Sequence, residues 1–228
     1  AFTASGSRRW SEEGYVEATF YDAWSYFLSA EKKINDNHSI GLTAFGAPRK
    51  RGKQGVATQE VYDLAGTNYY NPYWGYQDGE KRNSRISNYH KPWFILNHYW
   101  DISENTELQT GLAYSFGKGA STRLNWYDRP DPRPDYYRYL PSYYTENDPE
   151  YQQYMNEWSE DPVQLNWDHF YFANQDEYDV IHNESGIEGN TVSGLRSKYI
   201  IEERRNDHNR YDLNSNLKHK VNENINIY

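Results

Sequence analysis

The sequence predicts an all-β chain, a segment of a large antiparallel transmembrane β-barrel whose long loops carry short helices. Three observations predict it. Apolar and polar residues alternate over stretches much longer than an ordinary strand. Short turns and long irregular loops follow one another in rotation. The chain is also both very polar and very aromatic, with a mean hydropathy of −1.11, 24 Tyr and 8 Trp. Disordered chains of such low hydropathy are poor in aromatics. A barrel reconciles the two properties, because its lumen and loops are polar and its rims carry aromatic girdles.

The elements follow in order. Ala1 to Gly6 reads as the inside of a strand. From Tyr15 to Ile34 the period is two: Val16, Ala18, Phe20, Trp24, Tyr26, Leu28 and Ala30 share one face, with Asp22 and Phe27 as exceptions to the alternation. Asn35-Asp36-Asn37 is a turn signal, and Ile40, Leu42 and Ala44 continue the pattern in a second strand. Residues 46–85 lose the alternation and predict a long loop, with a short helix capped by Thr58. Ile86 to Ile102 is strand-like, weakened in its middle by Pro92. After the turn Ser103-Glu104-Asn105, the residues Leu108, Thr110, Leu112, Tyr114 and Phe116 give the cleanest amphipathic strand, fading near Trp126. Residues 127–193 form the longest irregular stretch, with a helix predicted from Pro149 to about Ser159 behind Asp148. Strand character returns at Leu195 to Glu203 and again from Tyr211 to Val221, before a third turn at Asn222-Glu223-Asn224. Asn224 to Tyr228 reads as the start of another strand, so both ends are expected to be cuts within a longer protein.

All short turns thus fall at one end of the strands and all long loops at the other. Outer-membrane barrels show this asymmetry, with periplasmic turns and extracellular loops. Lipid tolerates no open sheet edge, so the remaining strands are expected outside this chain. No run of 18 apolar residues exists to make a membrane-spanning helix, and no signal peptide is visible. The net charge of −9 argues against a nucleic-acid partner. With no Cys, neither disulfides nor thiol chemistry is available.

Several segments resemble the start of the barrel in TonB-dependent receptors of Bacteroidetes-type bacteria. They are Gly6-Ser7-Arg8-Arg9-Trp10 with Glu13-Gly14-Tyr15, Thr19-Phe20-Tyr21-Asp22-Ala23, Thr43-Ala44-Phe45-Gly46-Ala47-Pro48, Asn68-Tyr69-Tyr70-Asn71-Pro72, and Asp131-Pro132-Arg133-Pro134-Asp135-Tyr136-Tyr137-Arg138-Tyr139-Leu140-Pro141. The resemblance covers nearly the whole chain. It implies a barrel of about 22 strands around a plug domain, with residues 1–228 supplying part of the wall and the plug lying elsewhere. It implies TonB-driven import of a ligand (a siderophore, glycan, peptide or similar), outer-membrane lipids and lipopolysaccharide as neighbours, and a surface lipoprotein lid as a further candidate partner. The competing expectation is a soluble, aromatic-rich β-protein that binds glycans.

The candidate ligand residues are loop aromatics and cations. Tyr69, Tyr70, Tyr73, Trp74 and Tyr76 offer flat faces with polar tips; their alternative role is packing the loop. Tyr136, Tyr137, Arg138, Tyr139 and Tyr143 follow a stretch stiffened by alternate prolines, with Arg138 placed to hold an anionic group or to anchor the loop by cation–π stacking. Tyr144 extends that run. Arg49 and Arg51, with Lys50 and Lys53, suit anionic ligands or lipopolysaccharide phosphates, or a solvated strand end. The carboxylates Asp128, Asp131, Asp135, Glu157, Glu160 and Asp161 do not follow calcium-loop spacing. His98, His169, His182, His208 and His219 show no metal-ligand spacing. No cofactor is expected, and no catalytic motif is present, so the chain is not expected to be an enzyme.

Overall fold

The structure is a computed structural model and describes residues 1–175, 178–223 and 225–228. It is 50% strand and 16% helix. Every strand pairing in it is antiparallel, which places it in the all-β class. The strands are β1 (Phe2–Ser11), β2 (Tyr21–Lys33), β3 (His38–Gly46), β4 (Arg49–Gly52), β5 (Trp74–Gln77), β6 (Glu80–Asn83), β7 (Ile86–His90), β8 (Trp93–Ser103), β9 (Thr106–Trp126), β10 (Tyr178–Ile181), β11 (Val192–Leu195), β12 (Tyr199–Lys220) and β13 (Asn226–Ile227). Among the described residues three α-helices lie in the loops: α1 (Gln59–Leu64), α2 (Pro149–Glu160) and α3 (Trp167–Gln175).

Nine strand segments form one sheet. Register shows that β3 and β4 are two halves of one strand, as are β7 and β8. Phe45 faces Trp93 and Arg49 faces Tyr89, so pairing resumes in step after the interruption. The breaks fall at Pro48 and Pro92, which have no N–H to give to the ladder. Gly117 of β9 lies beside them with φ of +126°, and a Cβ there would meet the His90 carbonyl oxygen at 2.1 Å. The nine segments therefore make seven strands in a meander, β1, β2, β3/β4, β7/β8, β9, β12 and β13, each paired with its neighbour in the chain order of the sheet. β9 and β12 are the longest, at 21 and 22 residues.

The predicted turns are present. Asn35 closes the first, its side-chain oxygen accepting from the Asn37 and His38 amides at 2.9 Å each. Ser103 and Thr106 close the second. In the third, Asn222 accepts from the Ile225 amide, while Asn224 lies outside the described residues. The Thr58 cap of α1 is formed, and α2 follows Asp148 as predicted.

Three predicted boundaries need correction, and one helix is added. The strand expected from Tyr15 begins only at Tyr21, because the Glu17 and Ala18 carbonyls are held by the side chains of Asn71 and Asn83. The loop expected at 46–85 starts with β4 and contains the hairpin β5/β6. Arg49-Lys50-Arg51 is polar on both faces of its strand, so its alternation is invisible. Leu195 belongs to β11, which pairs with β10, and β12 starts at Tyr199. The helix α3 was not predicted: its apolar side chains Trp167 and Phe170 are packed by contacts distant in sequence.

Residues opposite one another in an antiparallel sheet share a face. One face is apolar in rows that cross five strands. Leu28, Ala44, Phe94, Tyr114 and Tyr211 form one row, and Ala30, Leu42, Leu96, Leu112 and Leu213 form the next. Rings border these rows at both ends. Toward the loops, Phe94 stacks on Phe116 and Tyr114 stacks on Tyr211 with centroids 4.7 Å apart. Toward the turns, His38 stacks on Trp100 at 5.3 Å. The opposite face is largely small or polar, as in the row Glu31, Gly41, Asn97, Gly111 and Asn214. Phe27, Phe45 and Trp93 interrupt it, with Arg210 over the Trp93 ring.

The buried cores lie elsewhere. Within the long strands the buried apolar residues are Ala120 and Tyr199, and Pro92 is buried at the break between β7 and β8. Val61, Tyr70, Leu140 and Trp158 make one cluster, and Leu165, Trp167, Phe170 and Tyr199 make another. Both join the 53–85 loop or the adjoining strand ends to the 127–198 loop. Polar links pin them: Ser142 donates to Glu60 through its amide and hydroxyl, the Tyr70 hydroxyl donates to the Val163 carbonyl, and the Trp167 indole donates to the Arg82 carbonyl. Gly75 permits the closest approach, since a Cβ there would sit 1.8 Å from the Leu165 carbonyl oxygen.

Candidate functional site

The strongest candidate for ligand contact is a tyrosine-lined cleft on the 127–198 loop. The chain leaves β9 at Trp126 and runs through Arg129-Pro130-Asp131-Pro132, where the prolines fix an extended path. Arg133 folds back onto Asp131 through two of its nitrogens and covers the Trp126 ring. Tyr137–Tyr139 and Pro141–Tyr143 then form two single-turn 3₁₀ helices. These tight turns bring successive rings together. Tyr136 meets Tyr137 and Tyr139 edge-on at 4.8 and 5.3 Å, and Tyr137 meets Tyr143 at 5.3 Å. Tyr144 meets Tyr143 on one side and Tyr154 of α2 on the other.

Arg138 organises this cluster. Its Nε donates to the Tyr137 hydroxyl at 3.0 Å, its guanidinium lies near the Tyr137 and Tyr143 rings, and its carbonyl accepts from the Tyr144 hydroxyl. The Arg138 hydrogen bond holds the Tyr137 pKa below the usual tyrosine value. Tyr154 is pushed up to about 12 by burial and by its tyrosine neighbours. It is therefore neutral at physiological pH and acts as a hydrogen-bonding ring rather than an acid or base. The cleft is about 600 Å³, within the range of small-molecule sites. Trp126, Arg129, Asp131, Tyr136, Arg138 and Tyr139 line it, with Tyr144. It thus offers ring faces, two cations and phenol hydroxyls, while the Asp131 carboxylate in its wall is already held by Arg133; rings, cations and hydroxyls together recognise planar or polyhydroxylated ligands.

Asp135 precedes Tyr136 in the chain. Its Oδ1 is buried without a hydrogen-bond partner, and burial raises its pKa despite the nearby Arg133. Burial, with Asp135 adding to it, also raises the Tyr70 hydroxyl.

The structure brings together Tyr136, Tyr137, Arg138, Tyr139 and Tyr143 as one group, and divides the others. Tyr70 and Trp74 are 5% and 1% exposed, so they have no surface to offer a ligand; they pack the loops, which corrects their reading as contact residues. Tyr73 is half-buried with Arg85 over its ring. Tyr69 and Tyr76 are exposed. Arg49 and Arg51 are on β4 and not in a loop. Cleft residues outside the predicted ligand set include Trp126, Arg129 and Asp131, the last considered only as a carboxylate. Trp126 ends the β9 alternation and the other two flank Pro130, a signal readable only once the chain is known to fold back there. Tyr154 had a clearer mark: four residues before Trp158, it shares a side of α2 with that core residue.

Among the described residues no helix is long and apolar enough to cross a membrane, a criterion that does not concern strands. Compared with known proteins, the chain matches no family model, no curated protein and no solved structure.

Proposed function

We propose that the chain forms part of the wall and outer vestibule of an outer-membrane transport barrel of the TonB-dependent kind, whose loops capture the ligand to be imported. One observation carries this reading: the sheet has an ordered apolar face that none of the described residues covers. Leu213 and Tyr211 on it are 76% and 73% exposed. Leaving a leucine side chain in water rather than burying it forgoes about 1.5–3 kcal/mol, and here the loss would recur along whole rows. From Phe116 to Leu108 the apolar band runs about 26 Å along β9 at roughly 3.3 Å per residue, comparable to the ~25 Å apolar band of outer-membrane barrels. Rings border it at both ends, where a lipid interface favours them.

Two further features support the reading. Among the described residues, β12 pairs with β13 only at His219 and Lys220, so most of its outer edge is free to join further strands. The turns at 35–37 and 103–105 and the one that begins at Asn222 lie at one end and the cored loops at the other. In this reading the turns face the periplasm and the loops face outside.

The absence of cysteine makes a direct test simple. Leu96→Cys and Asn97→Cys, each carrying a small fluorophore, place a probe on either face of β8. In brominated-lipid bilayers, quenching is expected at position 96 and little at 97. Equal quenching at both sites, or none at either, sinks the membrane reading. For capture, Tyr136→Ala/Arg138→Ala cells grown on single sources of ferric chelate, oligosaccharide or peptide should lose growth on at least one. Unimpaired growth on every source that supports the parent would remove the cleft from the transport reading.

A further inference from the structure

The polar face of the sheet changes character where it approaches the loops. Arg51, Ser87, Ser121 and Arg204 form one row there. Arg9, Ala23, Arg49 and Tyr89 form the next. Alternation places Lys53, Arg85 and Lys91 on the same face, and the Lys53 ammonium donates to the Ser121 hydroxyl at 2.8 Å. The carboxylate on this part of the face is Glu202, which Arg123 already holds at 2.7 Å. Among the described residues Arg9, Arg49, Arg51, Lys53, Arg85 and Arg204 form no ion pair.

This cationic excess is not a matter of composition, since the chain as a whole carries −9. Some cations on the apolar side are paired, Arg8 with Asp22 and Arg205 with Asp207, while Lys50 there rests on the Phe20 ring. On the polar side Arg123 and Arg210 are held by Glu202 and Asp212, but Arg9 lies over Tyr21, Arg49 over Tyr89 and Arg85 over Tyr73 with no carboxylate partner among the described residues. The Arg49 Nε is moreover buried without any hydrogen-bond partner. A guanidinium N–H left unpaired costs free energy that an anion would restore. A cleft of about 530 Å³ opens at this place, with Thr19, Tyr21, Arg51, Lys53 and Gln54 on its wall.

We propose that this part of the polar face is a binding site for a small polyanion, a ligand bearing two or more carboxylate or phosphate groups, seated beside Arg51 and Lys53 with Arg49 completing the contact. Successive cations on β4 recur about 7 Å apart, a spacing that suits separate charged groups of one small molecule. Arginine pairs with either group in a two-pronged geometry. The site follows from strand register and charge, and so stands apart from the membrane reading of the opposite face.

The test is calorimetric titration of the full-length protein, in lipid nanodiscs or in detergent-free buffer according to which keeps it monodisperse, with inorganic pyrophosphate, with citrate and with uncharged glucose. At least one anion is expected to bind and glucose is not. Arg49→Gln/Arg51→Gln should weaken that binding at least tenfold, and Arg49→Lys/Arg51→Lys should weaken it less. Lys50→Gln/Lys118→Gln removes the same charge from the other face and should change affinity less than twofold. A response to pyrophosphate alone assigns a phosphorylated ligand, and a response to citrate alone a carboxylated one. If the Arg49/Arg51 variant does not fold, Lys53→Gln and Arg204→Gln read the same face. The proposal is overturned if neither anion binds, or if the Lys50/Lys118 variant loses as much affinity as the Arg49/Arg51 variant.

Discussion

The sheet and the loops of this protein reverse the usual division of labour. In most β-proteins the strands bury the core and the loops are solvated. Here Val61, Tyr70, Trp74, Leu140, Trp158, Leu165, Trp167 and Phe170, nearly all the buried apolar residues, are in the connections between the long strands. The long strands hold ladder hydrogen bonds and rows of exposed side chains. The sheet is thus organised by register, the loops by packing. A loop region with two hydrophobic clusters and cross-loop hydrogen bonds is a preorganised platform, and the tyrosine cleft sits on it.

This contrast can be broken most directly at Trp158. Trp158→Ala removes the largest side chain of the first loop cluster and is expected to cost about 3–5 kcal/mol. The loss should be local. Hydrogen exchange should accelerate at the amides of α1 and α2, while those of β8 and β9 keep their protection. Loss of protection in the sheet as well would show that the two regions are one cooperative unit.

The sheet can be probed from its two faces by a charge. Leu112→Arg places a cation in the middle of the apolar rows, and in a bilayer the expected cost is about 2–4 kcal/mol. Asn97→Arg, on the polar face, should cost far less. Urea unfolding in lipid vesicles compares them, and similar midpoints for the two variants would erase the distinction between the faces.

The smallest effect is electrostatic. Burial raises the pKa of Asp135, so its contribution is fully present when the carboxyl is protonated, below the ordinary aspartate value. It is lost as pH rises through the elevated value in the folded protein. Asp135→Asn should therefore match the parent near about pH 3 and have the higher Tm near about pH 7. A parent that is equally stable at both pH values relative to the variant would place Asp135 in contact with water.

Much of the sheet was legible in the sequence. Alternation found the paired strands because a half-covered strand must separate its two faces residue by residue. Asn35, Ser103 and Asn222 marked the turns because their side chains bond to nearby backbone. Pro92 marked its break because it lacks an N–H. The part of β4 at Arg49-Lys50-Arg51 was missed because polar residues occupy both of its faces, and Tyr15 to Phe20 was overread because its alternation is overruled by Asn71 and Asn83. In the site, Tyr136 to Tyr143 could be named as a group, since they lie within one short stretch.

What the sequence determined by itself was therefore local and periodic: the strand faces, the turns, the Thr58 cap and the clustering of tyrosines near Arg138. Only the tertiary structure decided which aromatics are ligand-facing and which are packing. Tyr69 and Tyr70 are neighbours of one type, yet one is exposed and the other is buried against Trp158. Their difference comes from Val163 and Trp158, about ninety residues away in the chain, and no local pattern encodes a contact made at that separation.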